Sequence, residues 1–413
     1  MKDPFVSMTS FDLHAFLTAQ RERQTAFLAE LVKTPSDNPP GDCAPHAERA
    51  AALLEGLGFT VERHPVPEAV VRANGMVSVT NLVVRKRFGD GPVIALNAHG
   101  DVVPPGEGWT RDPYGAEIVD GWMVGRGVAV SKSDFATYAF ALLALEAMGT
   151  ARGTVELHLT YDEEAGGEIG PRWLLEQGIS TPDMAIAAGF SYGVVTAHNG
   201  CLHLEVEVVG KSAHAALPMT GIDALEAANC VLTTLYAYRK GLPQHVSAVP
   251  GIGSPQLTVG LIRGGINTNV VPDRVTLRLD RRMIPEENPA EVEATLRAVI
   301  ADAMAHVPGA QVQVRRILLA RPLTPLPGTD RLAALLCAHA TRIMGETVEA
   351  KGVPLYTDAR HYAAAGVPIV LYGAGPHTIE EANAHRADER LPLSDLYKAT
   401  EVVAAALADL LAE

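Results

Sequence analysis

The stretch CLHLEVEVVG, residues 201 to 210, alternates apolar and polar side chains as a strand with one covered face does. It marks a change in the character of the chain near residue 196. Downstream the pattern predicts a helix over 221–239, strands over 255–264 and 274–282, a helix over 289–305 opening at NPAEVE, and a strand over 310–318. That succession, strand-helix-strand-strand-helix-strand, is the ferredoxin-like split βαβ arrangement.

Outside this block the chain reads differently. Residues 11–33 carry apolar positions at helical spacing, TPSDNPPGD (34–42) breaks the pattern, and 43–57 is helical again. NLVVRKRF (81–88) and PVIALNAHGDVV (92–103) read as strands, and DFATYAFALLALEAMG (134–149) as a helix stopped by glycine. GTVELHLTYDEEAGGEIG (153–170) is a strand running into a glycine-rich turn, followed by a helix over 171–178. After ARPLTPLPGTD (320–330) the alternation of helix and strand resumes. The expected fold is therefore an α/β domain, a mostly parallel sheet covered by helices, built from residues 1–197 and 319–413. A small α+β ferredoxin-like domain, residues 198–318, is inserted into it.

Composition excludes several classes. The chain has 413 residues, too many for one ordinary core, and its 47% hydrophobic and 20% charged residues fit a globular protein. A net charge of −14 argues against a nucleic-acid partner. No uninterrupted apolar run reaches the ~20 residues of a membrane span. The N-terminal residues lack the apolar core of a signal peptide, and the four cysteines (Cys43, Cys201, Cys230, Cys337) show neither CxxC spacing nor a disulfide framework. A reducing cytoplasm is the expected setting.

Four stretches could carry chemistry, each with an ordinary alternative. His99 and Asp101 in LNAHGDVV share one face at a strand end. A carboxylate behind an imidazole fixes its tautomer and raises its basicity as a metal ligand, but a surface His-Asp pair has the same pattern. Glu163 and Glu164 in TYDEEAGGEIG stand at another strand end. Adjacent carboxylates diverge, so one can bind a metal while the other takes a proton from water; two solvated acids before a turn fit equally. His385 in EANAHRADERL reads as a ligand or an exposed loop histidine. His214 in GKSAHAALPMTGIDA reads as a site residue, a helix cap or a core histidine.

Taken together, HGDVVPPGEGW, DPYGAEIVDGWMVGRG, DEEAGG, GKSAHAALPMTGIDA, GGINTNVVPDRVTLRLDRR, YTDARHY and AHRADE make the chain resemble, over nearly its whole length, the M20 family of metallopeptidases and deacylases. That is the group with acetylornithine deacetylase, succinyl-diaminopimelate desuccinylase, aminoacylase and carboxypeptidase G. The resemblance implies hydrolysis of an amide or related C–N bond in a small, carboxylate-bearing substrate such as an N-acyl amino acid or dipeptide. It also implies a homodimer through residues 198–318. His99 matches a metal ligand and Asp101 the acid that orients it. Glu163 matches the general base that activates water. Glu164 and His385 match two ligands of one metal. His214 matches a histidine that helps hold the scissile carbonyl oxygen. Asn269 and Arg282 match positions near the substrate carboxylate, although a salt bridge is an equal account of Arg282, and Arg360 in TDAR is a further substrate-binding candidate.

The pattern breaks in two places. The family usually bridges two metals with an aspartate three residues after the second glycine of a Gly-Arg-Gly turn, with a lysine two further on. Here the turn is Gly125-Arg126-Gly127, the lysine is Lys132, and the bridging position is Val130. The family's private acid for the second metal corresponds to Phe190, or to Ser191 if the register slips, in AAGFSYG. Three usual ligands remain, His99, Glu164 and His385, and two His with one carboxylate is the ligand set of many mononuclear zinc sites. The expectation is one zinc per chain, with cobalt or manganese as substitutes. Asp134, one helical turn beyond Val130, is a further candidate ligand, but SKSD fits a capping box with Ser131 as N-cap and Asp134 reaching back to it. His361, Tyr356 and Tyr192 are further polar candidates. Two other readings stay open: a two-metal hydrolase with replacement ligands, and a non-catalytic member that binds a ligand in the old cleft. Deamination is a related chemistry open to metal-activated water.

Overall fold

A computed structural model describes residues 11–149 and 151–412. The chain divides into two compact units. The first comprises residues up to Thr196 with Pro325–Ala350 and those from Thr357 onward; the second comprises Ala197–Thr324 with Lys351–Tyr356. The α/β domain with an inserted α+β domain is the architecture found.

The sheet of the first unit runs Val61–Pro65, Thr80–Arg87, Thr154–Thr160, Val93–His99, Met184–Ala187, Ile369–Leu371, Val194–His198, Ala350–Val353. The last two strands lie where the chain passes from one unit to the other. The middle is parallel: Val93–His99 pairs with Thr154–Thr160 on one side and Met184–Ala187 on the other, and Ile369–Leu371 pairs with Met184–Ala187. These strands are buried on both faces, which explains their near-continuous apolar runs. The register sets His99 opposite Thr160, so the residues that follow each strand emerge side by side at one edge. Loops at the carboxyl ends of parallel strands are where α/β sheets carry their sites.

The helix Lys132–Met148 is apolar nearly all round and buried along most of its length. It packs against Leu13–Val32 and Leu393–Leu410, and the latter also packs against Thr329–Met344. The capping box expected at its start does not form. Ser131 is the N-cap residue, but its hydroxyl is engaged with the backbone of His99, and the Asp134 carboxylate accepts from the N–H groups of Gly189 and Ala374 (3.2 and 2.8 Å). At this buried helix start, the strand-end loops offer N–H groups that would otherwise lack acceptors, and the side chains serve those instead of the helix's own first turn.

A small three-stranded sheet, not anticipated from the pattern, joins Glu117–Val119, Trp122–Val124 and Arg390–Pro392. It pairs Val124, just ahead of the Gly-Arg-Gly turn, with Arg390, five residues beyond His385.

The second unit is a four-stranded antiparallel sheet in the order Gln256–Gly264, Arg274–Met283, Gly200–Val209, Gln311–Ala320. Helices Ala224–Gly241 and Pro289–Met304 pack together and against the sheet. Leu202, Leu204, Val206 and Val208 share a core with Leu277, Leu279, Val231 and Leu296. The alternate side chains face away from that core. Glu205 pairs there with Arg278 and Arg315, and Glu207 with Arg274. Asp223 and Asn288 cap the two helices through their side chains.

Candidate metal centre

The site of the first unit begins with Asp101. Its carboxylate is fully buried and lies 3.4 Å from His99 Nδ1, which also meets the Asp101 carbonyl oxygen at 2.9 Å. The same carboxylate accepts from Asn38 Nδ2 (3.0 Å) and from the backbone N–H of Glu163 and Glu164 (3.2 and 3.1 Å). One side chain therefore fixes the imidazole ring and the turn bearing both glutamates. With Nδ1 held, Nε2 is the His99 atom left to ligate.

His99, Glu163 and Glu164 each offer one donor atom, and these atoms lie within 4.8 Å of one another. Glu164 Oε1 also meets His385 Nε2 at 3.2 Å. His385 sits in the left-handed region with φ 61°, as do Asn383 (50°) and Asp388 (54°) on either side. Each such conformation costs about 1–3 kcal/mol unless its surroundings hold it. Here Asn383 Nδ2 donates to the Asp388 carbonyl, and Asp388 receives the Thr110 backbone N–H and hydroxyl.

The electrostatics are those of a site crowded with acids. Burial, with Glu164 and Asp101 nearby, pushes Glu163 up to about 7. Burial disfavours protonation of His99, but Asp101, Glu163 and Glu164 outweigh it and hold the imidazole well above its usual range. Burial also acts against ionisation of Asp101, but the His99 and Asn38 contacts bring it below the ordinary carboxylate range. Such a donor set, two carboxylates and the His99 imidazole around one point with His385 beside Glu164, fits a divalent cation.

One buried acid beside this centre was not among the expected residues. Among the described residues neither Asp358 carboxylate oxygen has a hydrogen-bond partner, and burial and Glu163 push the group well above the usual range. A side chain at Gly167, where φ is 69°, would run into Asp358 Oδ1 and His361 Nε2. The motif YTDARHY contains Asp358, but only its environment distinguishes it from a surface acid. Arg360, next in that motif, is buried, with its guanidinium on the carbonyls of Thr357 and Gly166.

The other half of the expected site is filled differently. The N–H groups of Ala129 and Val130 donate to Glu389 Oε1 (3.0 and 3.1 Å), and Arg126 Nη1 meets Glu389 Oε2 at 2.6 Å with both side chains buried. Lys132 Nζ is buried on the carbonyls of Leu31 and Thr34, and burial pushes it down to about 7. Phe190 lies flush against Gly375, and Ser191 bonds the backbone of Gly373 and Gly375. Asp134 has the two backbone donors already described. Among the other polar candidates, Tyr192 donates to Asp395 and stacks on His377, and His361 Nε2 lies 3.2 Å from the Gly166 carbonyl.

The remaining expected residues belong to the second unit. His214 and Asn269 are exposed and sit in paired segments, with His214 opposite Val270 and Ala215 N–H on the Asn269 carbonyl. Arg282 forms an ion pair with Asp280 and lies 5.8 Å from the ring centre of Tyr356.

Comparison with known proteins adds the following. The sequence profile of peptidase family M20/M25/M40 matches residues 95–409. A succinyl-diaminopimelate desuccinylase of Gluconacetobacter diazotrophicus is 29% identical over 396 residues, 92% of this chain and 94% of the relative. An acetylornithine deacetylase of Proteus mirabilis is 29% identical, with 86% of each chain covered. Among solved structures, the M20 family metallo-carboxypeptidase Sso-CP2 from Sulfolobus solfataricus shares the fold with a TM-score of 0.74 at 17% identity, covering 93% of this chain and 98% of that one. The Bacillus subtilis YXEP protein, described as a dinuclear metal binding peptidase, gives 0.69 at 18% identity over 95% and 99%.

Proposed function

The chain belongs to peptidase family M20/M25/M40, and from that premise we propose that it is a metal-dependent amide hydrolase working with one divalent ion per chain, zinc by the chemistry of its ligands. The observation that carries this reading is the Asp101 carboxylate, which draws His99, Glu163 and Glu164 to one point; by resemblance, Val130 and Phe190 or Ser191 stand where the family has two further acids. His99, Glu164 and His385 would hold the ion. A bound divalent ion supplies Lewis acidity and lowers the pKa of water.

In this reading Glu163 takes the proton of the attacking water and passes it to the leaving nitrogen. A carboxyl held near 7 suits a group that must accept a proton and then give it up. Arg360 keeps the Gly166 turn, and with it Glu163, in place through its two carbonyl contacts. The substrate class proposed is an N-acyl amino acid or dipeptide. By resemblance alone, His214 is the candidate for the carbonyl oxygen, and Asn269 and Arg282 for the substrate carboxylate. The alternative of two ions with a replacement ligand has one observation in its favour, the Asp358 carboxyl near Glu163, which has no hydrogen-bond partner among the described residues.

Elemental analysis of purified protein, together with turnover of N-acyl amino acids and dipeptides by wild type and Glu163→Gln, tests the proposal. The expected result is one tightly bound ion per chain that is lost in His99→Ala and kept in Glu163→Gln, and a fall in kcat of about 10²–10⁴ in Glu163→Gln. Two ions lost together in His99→Ala would overturn the mononuclear reading, and undiminished turnover in Glu163→Gln would overturn the base.

A further inference from the structure

On the polar face of the second unit's sheet, three ligand-type side chains meet. Strands Gly200–Val209 and Arg274–Met283 pair with Cys201 opposite Arg282 and His203 opposite Asp280. Residues two apart on a strand share a face, so these four side chains form one block. Cys201 Sγ lies 3.2 Å from His203 Nε2 and 3.7 Å from Asp280 Oδ1, and His203 Nε2 lies 3.3 Å from Asp280 Oδ2. A tetrahedral ion with bonds of about 2.0–2.3 Å spaces its ligand atoms about 3.3–3.6 Å apart. The three observed separations bracket that range.

We propose that Cys201, His203 and Asp280 form a second metal site, selective for a soft or borderline divalent ion of the zinc class and separate from the centre around His99. The convergence is on a single imidazole nitrogen: sulfur and carboxylate both approach Nε2. A relay of hydrogen bonds would instead place them on opposite nitrogens, as a base and its orienting acid are placed in a catalytic triad. Thiolate and imidazole select zinc, cobalt or cadmium over magnesium or calcium. Cys201 is fully buried at the floor, whereas His203 and Asp280 are about one-third exposed, so an ion has a path from solvent and a fourth position open to water.

Arg282 is compatible with such a site. Its Nε and Nη2 meet Asp280 Oδ1 and Oδ2 at 2.9 and 3.2 Å. A carboxylate has about four acceptor positions, so the guanidinium can orient Asp280 from outside while a remaining lone pair ligates. Ion binding replaces the thiol proton of Cys201, which leaves to solvent; thiolate and carboxylate then offset the two positive charges. No redox step is involved.

Cobalt reports the site independently of activity, since none of the ligands around His99 is a cysteine. The chelator-stripped full chain is titrated with Co²⁺ and its near-ultraviolet absorption followed. The expected result is a sulfur-to-cobalt charge-transfer band in wild type and in His385→Ala, its loss in Cys201→Ser, and at least a roughly tenfold weaker Co²⁺ affinity by that band in His203→Ala. His203 is partly exposed, so its variant keeps the test decisive if Cys201→Ser does not fold. Absence of the band in wild type at saturating Co²⁺, or a band unchanged in Cys201→Ser, overturns the proposal.

Discussion

Two loops beside the carboxyl ends of the sheet's parallel middle strands make an instructive pair. The turn 162–167 keeps its carboxylates and has them fixed by Asp101. The loop 125–131, where the family resemblance expects a bridging carboxylate, carries Val130 and is fixed as firmly by Glu389, through two backbone N–H groups and the buried Arg126. In both, a buried acid from a distant part of the chain receives consecutive backbone N–H groups. The difference is only what stands on the loop that is held. A loop's geometry and its chemistry are thus separable: the frame around Val130 does not depend on a ligand being there.

The sharpest way to break that comparison is Glu389→Ala. It leaves Arg126 buried without a counter-charge and two N–H groups without acceptors, a combination expected to cost about 3–5 kcal/mol of unfolding free energy in urea titrations. A loss below about 1 kcal/mol would mean the vacated loop is not held as described. Next is restoration: Val130→Asp with Phe190→Glu places acids at two positions where the family resemblance expects them. Elemental analysis is expected to find one more ion per chain than in wild type. An unchanged count would show that the frame has drifted too far to serve two ions.

The smallest effect concerns Glu156, which lies on the strand Thr154–Thr160 that leads into the turn bearing Glu163. Burial acts to raise it too, but His158, Ser180 and Arg85 bring it below the ordinary value, whereas Glu163 ends above. A group lowered in the folded state adds stability above its unfolded pKa of about 4.3, and that part is lost as pH falls below it. Glu156→Gln is therefore expected to flatten the acid limb of the stability-against-pH curve, with little change in shape above pH 6. A limb as steep as wild type would show that partnering does not distinguish the two acids.

How far the site was legible in the sequence follows the same division. His99, Asp101, Glu163 and Glu164 end or follow predicted strands, and alternation of pattern is enough to bring strand ends together. Most helices and strands were readable for the same reason, because their covered faces repeat at fixed periods. The partner of Val130 was not readable: Glu389 is 259 residues away and its role depends on where a loop returns. Asp134 shows the opposite error. Its spacing from Ser131 satisfied a local rule, but burial supplied competing backbone donors that no local pattern reveals. Asp358 and the meeting of Cys201 with Asp280 likewise depend on strand register and packing rather than on spacing along the chain.

The pairing of Val124 with Arg390 has a consequence for anyone transplanting this centre to another scaffold. The loop bearing His385 is spliced, through Glu389 and Arg390, to the segment 124–130. A graft limited to the liganding residues would leave the histidine arm without its splint, free to leave a left-handed backbone that it adopts only under restraint. The smallest portable unit therefore includes the chemically silent loop, retained as the mounting for the arm that carries His385.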